Sequence, residues 1–66
     1  MRLTLNGEDT QLREGVTIGD LIADLELTKR RVAVEVNRDI VPRETFATRV
    51  LCEGDVVEIV HFIGGG

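Results

Sequence analysis

The sequence predicts an α+β domain, a mixed sheet of four to five strands with one main helix packed across it. Three observations carry that expectation. Apolar and polar residues alternate with period two in "RLTL" and "VAVEVN", and a single stretch of helical period lies between them. Turn-forming residues, Asn-Gly, Gly and Asn-Arg-Asp among them, separate the pieces.

The first piece, "RLTLNGED", sets Leu3 and Leu5 on one face and Arg2 and Thr4 on the other. Asn6-Gly7 follows, the strongest short-range hairpin signal, because both residues tolerate positive φ. "TQL" then returns as a second strand, with Thr10 and Leu12 sharing a face, and Gly15 ends the hairpin. Thr17 is placed as a helix N-cap whose hydroxyl accepts from the Asp20 backbone N–H, and the Asp20 charge suits the first turn of the helix dipole. Ile18, Leu21, Ile22 and Leu25 fall at i, i+3, i+4 and i+7, one apolar stripe of an amphipathic helix. Leu27 is expected to close that end of the core, with Lys29, Arg30 and Arg31 at the helix C-terminus or just past it.

"VAVEVN" alternates Val32, Val34 and Val36 against Ala33, Glu35 and Asn37, which reads as a third strand. The crossover rule puts this strand, which follows the helix, in the same sheet. "NRD" turns the chain into a short fourth strand, "IV", which Pro42 ends by removing a donor. "RETFATRV" reads as a turn of helix or irregular structure with Phe46 packed inward. "CEGD" is a turn with Gly54 supplying the unusual backbone angle. "VVEIVHFI" is the last and most apolar strand, and apolarity on both faces places it centrally, beside the first strand.

With 66 residues the chain is one small domain, read as residues 1–63 followed by a flexible glycine tail at 64–66. A domain of this size buries only about 60% of the surface its unfolded chain exposes, so the core is thin. Eight Lys and Arg against twelve Asp and Glu give a net charge of −4, which argues against nucleic acid or an anionic membrane as partner and suits a basic protein surface. Phe46 and Phe62 are the only aromatics, too few for a base-stacking platform. No apolar run reaches transmembrane length and no signal peptide opens the chain. One cysteine, Cys52, permits no internal disulfide and fits a reducing, cytoplasmic setting.

The side chains offer little chemistry. His61 and Cys52 are the only members of their types; the first reads as a strand residue and the second as a small hydrophobe before a turn. A nucleophilic pair needs mutual contact and a third orienting group, and the pattern supplies neither. Ligands at metal-binding spacing are missing, so no metal and no bound cofactor are expected. Asp20 and Asp24 share a helix face as solvated carboxylates, Lys29–Arg31 reads as a helix terminus, and Arg38 and Arg43 read as surface charge. An enzyme is not expected from these residues.

What remains is "GGG". At average glycine usage, three in a row at a given place arise by chance roughly three times in ten thousand. The plain reading is a frayed terminus, but the glycines leave directly from the most apolar strand. Without Cβ atoms such a thread can enter a slot that rejects any side chain. Three extended residues reach about 10 Å, and Phe62 and Ile63 add to that. A partner could hold the folded body outside while the Gly66 carboxylate enters an active site. A carboxylate is a poor electrophile, so it first needs a leaving group, which adenylation by ATP supplies. The anhydride then reacts with sulfur to give a thiocarboxylate or with an amine to give an amide.

"VAVEVNRDIVPRE" (32–44), "GDVVEIV" (54–60) and the terminal "GGG", together with "RLTLNGE" and "GVTIGDLI", closely resemble the ThiS family of thiamine-biosynthesis sulfur carriers over nearly the whole chain. The resemblance implies a ubiquitin-like β-grasp. It implies that the Gly66 carboxylate is adenylated by a ThiF-type adenylyltransferase, which uses ATP, and then receives sulfur from a sulfur donor protein. The thiocarboxylate would pass sulfur to a ThiG-type thiazole synthase. The family's terminal Gly-Gly maps onto Gly65 and Gly66, and Gly64 adds slack within the partner's active-site channel. Apart from the resemblance, if Val57 and Ile59 face the helix, then Glu58, Val60 and Phe62 face away. Val60 and Phe62, with Ile63, then form a docking contact beside the tail, unless they pack under a loop. Other readings stay open at this point: a carrier for molybdenum-cofactor or cysteine synthesis, a modifier joined to lysines through Gly66, or a β-grasp binding module with incidental glycines.

Overall fold

The computed structural model describes residues 1–62 of the chain. Ile63, where the expected domain ends, and the expected glycine tail 64–66 lie outside the described residues.

Strands β1 (Arg2–Leu5) and β2 (Glu8–Gln11) form the first hairpin, with Leu3 opposite Thr10 and Leu5 opposite Glu8. The turn between them puts Asn6 at φ 50 and Gly7 at φ 83, as the Asn-Gly signal requires. β2 ends at Gln11, one residue before Leu12. Leu12 is half-buried, and its N–H donates to the Met1 carbonyl at 2.9 Å.

Helix α1 (Ile18–Asp24) begins with a capping box. The Asp20 N–H donates to Thr17 Oγ1, and the Thr17 N–H donates to Asp20 Oδ2, each at 3.0 Å. Ile18, Leu21 and Ile22 are buried as the stripe predicts. Leu25 is not: it is 41% exposed and sits outside the helix as its C-cap. The reason is where the helix stops. Glu26 turns left-handed at φ 61, its N–H bonds the Ala23 carbonyl, and the Leu27 N–H bonds the Ile22 carbonyl. That reversal swings Leu27, rather than Leu25, back against the core.

β3 (Arg31–Val36) and β4 (Asp39–Ile40) make the second hairpin, through Asn37 at φ 52 and Arg38 at φ 74. β4 is Asp39–Ile40 rather than the expected Ile40–Val41. Val41 is buried past the strand's end, and its N–H donates to the Val34 carbonyl at 2.9 Å. Pro42 leads into a 3-10 turn, Arg43–Thr45, after which Phe46 packs half-buried against the core. This connection is stitched to the helix start. The Gly19 N–H donates to the Phe46 carbonyl at 2.9 Å, and a Cβ at Gly19 would lie 3.4 Å from that oxygen. Gly54, at φ 83, turns the chain into β5 (Val56–Phe62).

The five strands lie in the order β2-β1-β5-β3-β4. β5 is central, parallel to β1 and antiparallel to β3, so the sheet is mixed and the last strand sits beside the first, as expected. The core lies between the sheet and α1, where Ile18, Leu21, Leu51, Val34, Val36 and Val57 are nearly inaccessible. Each such side chain contributes about 1.5–3 kcal/mol. No polar or charged side chain is buried among the described residues.

Candidate functional site

β5 brings the candidate residues to one place. Val57 and Ile59 point to α1 and are 0% and 6% exposed. By the two-residue period of a strand, Val56, Glu58, Val60 and Phe62 point the other way. Among the described residues no loop covers them: Val60 and Phe62 are each 55% exposed. The register sets Ala33 opposite Val60, Arg31 opposite Phe62 and Glu35 opposite Glu58. On the flank, Ile40 is opposite Glu35 and 69% exposed. The open face of the sheet is therefore an apolar area around Val60 and Phe62, with Arg31 opposite Phe62 and the facing carboxylates Glu35 and Glu58 behind it.

Two asparagines hold β5 in line where neighbouring strands run out. Asn6 Oδ1 accepts the Ile59 N–H at 2.8 Å. Asn37 Oδ1 accepts the Val56 N–H at 2.9 Å, while its Nδ2 donates to Asp55 Oδ1 at 3.0 Å. Both sit at turns for a local reason, yet their side chains serve the central strand. Sequence reasoning saw the turns and missed the bracing. It also missed Arg31, Ala33 and Ile40 as members of the open face, because cross-strand register carries no local signal.

The other singled-out residues have structural settings. Asp20 caps α1, and the Thr17 backbone N–H, with the Thr17 hydroxyl, holds its carboxyl below the usual aspartate range. Asp24 pairs with Arg13 at 3.0 Å on the surface, and that hydrogen bond raises the Arg13 guanidinium further above its ordinary value. The Cys52 N–H donates to Asp55 Oδ2 at 2.8 Å in the turn before β5. His61 lies near the far end of that strand, opposite Val32. Cys52 lies in the turn before Val56, and the five strand steps from Val56 to His61 at about 3.3 Å each span roughly 16 Å, so the two form no catalytic pair. Among the described residues no group of three or more His, Cys, Asp or Glu is placed to hold a metal ion. None of their helices is long and apolar enough to cross a membrane. Gly64, Gly65 and Gly66, the predicted reactive end and channel thread, and Ile63, the predicted docking neighbour, lie outside the described residues.

Residues 3–66 match the model of the ThiS family. The chain belongs to the ThiS family. It is 45% identical over 65 residues to the sulfur carrier protein ThiS of Bacillus subtilis, covering 97% of this chain and 98% of that one. A crystal structure of the thiamine biosynthesis protein ThiS from Geobacter metallireducens superposes with a TM-score of 0.83 at 33% identity, over the full length of both chains. The ubiquitin-like β-grasp expected from the sequence is thus the fold of this ThiS-family chain. It is also 42% identical over 66 residues to a thiazole synthase of Paramagnetospirillum magneticum, where it spans 20% of the relative's length.

Proposed function

We propose that the protein is a sulfur carrier of thiamine biosynthesis, working in the cytoplasm, with the Gly66 carboxylate as its reactive group. The observation that carries this reading is the family match, which runs through Gly66, joined to near-complete coverage of a sulfur carrier at 45% identity. The chemistry belongs to the C-terminus. A Gly66 carboxylate oxygen attacks the α-phosphorus of ATP on a ThiF-type adenylyltransferase, and pyrophosphate leaves. A persulfide on a donor protein then attacks the acyl carbon and AMP leaves. A thiolate next attacks the donor's own sulfur in the resulting acyl disulfide, forms a disulfide with it, and releases the Gly66 thiocarboxylate. That sulfur passes to thiazole synthase for thiazole formation. The likeness to a stretch within thiazole synthases supports a carrier and synthase that work in contact.

The folded body serves as handle and address. Val60 and Phe62, exposed next to the point where β5 leads into Ile63 and the glycines, dock the partner enzymes, while Gly64 and Gly65 occupy the channel. No side chain of the carrier makes or breaks a bond, so the protein is a co-substrate rather than a catalyst. Complementation tests the reading. In a host lacking its own carrier, and therefore dependent on added thiazole, the full chain restores growth and a chain shortened by Gly65 and Gly66 does not. Equal growth with both would make the glycines incidental and leave a binding module.

A further inference from the structure

β5 outruns its neighbour on one side. β1 pairs with it only at Thr4 with Val56 and at Leu5 with Val57. The Asn6 N–H then reaches the Val57 carbonyl at 2.9 Å, and Asn6 Oδ1 takes the Ile59 N–H. There that side stops, because Asn6 and Gly7 turn the chain away into β2. On the other side β3 continues and pairs Arg31 with Phe62.

Backbone groups of successive strand residues point to opposite edges. The Val57 carbonyl and Ile59 N–H face β1, whereas the Val56 carbonyl accepts from Asn37 on the β3 side. By that alternation the His61 N–H and carbonyl face the β1 side, and so does the Ile59 carbonyl. Among the described residues no strand lies there to receive them. An unpaired strand edge is a template for another chain, one that folded proteins ordinarily blunt or cover. Here it is left open at the last residues before the tail.

Resting on the carrier reading above, we propose that the enzyme that activates Gly66 adds an extended segment of its own to β5 at Ile59–Phe62, on the edge that β1 vacates. Two considerations select this occupant. Four residues follow Phe62 in the sequence and reach about 13 Å when extended, so an enzyme that activates Gly66 must lie against this end of β5. Side-chain contacts on the open face fix the body but leave the direction of the thread free. A strand paired at 59–62 fixes both the body and the direction in which β5 runs at Phe62, the residue from which the sequence continues to Gly66. Strand addition draws its affinity from main-chain bonds. That gives His61 a role through its backbone, where its side chain offers none.

Residue-resolved amide hydrogen exchange on the full chain, free and saturated with the adenylating enzyme without ATP, tests the proposal. In the free protein His61 exchanges far faster than Val60 and Phe62, whose N–H groups face β3. In the complex His61 slows by about tenfold or more. His61→Pro, which removes a donor that has no partner among the described residues, weakens enzyme binding by about tenfold, while His61→Ala leaves it within about threefold. A saturated complex in which His61 exchanges as fast as in the free chain overturns strand addition and leaves the carrier reading standing. Protection at Val32, on the edge beyond the two-residue β4, overturns it in favour of docking on β3. Slowing of His61 that depends on the carrier's own concentration, without enzyme, overturns it in favour of a second copy. Failure of the enzyme to bind at any concentration removes the carrier reading and this inference together.

Discussion

Asn6 and Asn37 show how single residues carry the site. Each adopts a positive φ that bulkier residues resist, and each gives a side-chain oxygen to an N–H of β5. They hold straight the strand whose outer face displays Val60 and Phe62. At this scale the test is Phe62→Ala. Phe62 is 55% exposed and outside the core, so truncation leaves the thermal midpoint nearly unchanged. Partner affinity, measured by titration calorimetry with the adenylating enzyme, falls by more than about 1 kcal/mol. Unchanged affinity removes Phe62 from the docking face. That Val60 and Phe62 face outward was legible in the sequence, since alternation gives it once Val57 and Ile59 are assigned to the core. That Arg31 stands opposite Phe62 was not, because residues 31 apart in sequence meet only through a register set by the whole sheet.

At the scale of elements, α1 is a seven-residue helix, too short to stand by propensity, and depends on its ends and its packing. Thr17→Ala removes one half of the capping box and costs about 1 kcal/mol, a drop of about 4–8 °C in Tm for a domain this size. The other half responds to acid. The folded pKa of Asp20 lies below its unfolded value, so its contribution is present above the ordinary aspartate pKa of about 4 and is lost as pH falls through the folded value. Asp20→Asn therefore flattens the acid limb of a stability-against-pH profile and leaves its alkaline limb unchanged. At the other end, Glu26 holds a left-handed position that glycine fills without strain. Glu26→Gly raises the urea-unfolding free energy by up to about 1 kcal/mol, and a loss there would mean the turn is not strained. The N-cap was legible because capping is local chemistry. The early stop was not: nothing in "DLELT" marks Glu26 for a residue that must turn left-handed, so the apolar period ran on through Leu25.

The whole molecule is built around its last strand. Among the described residues, a hairpin, a helix and a second hairpin enclose β5 so that its outer face and final residues stay open. Order and type of elements were readable because alternation, capping and turn residues agree along the chain, and agreement across levels is what specifies a fold. Membership of the ThiS family was readable from a different source, the likeness of several stretches to ThiS carriers, since the side chains assemble no reactive centre among the described residues. The central claim is that the protein carries sulfur on its Gly66 carboxyl group. The most direct measurement is the intact mass of the protein isolated from its native host growing without thiamine. A population heavier by the difference between one sulfur and one oxygen atom, with that difference located on Gly66 by fragmentation, is the predicted result. A mass that corresponds throughout to the plain carboxylate, while the cells are making thiazole, would contradict it.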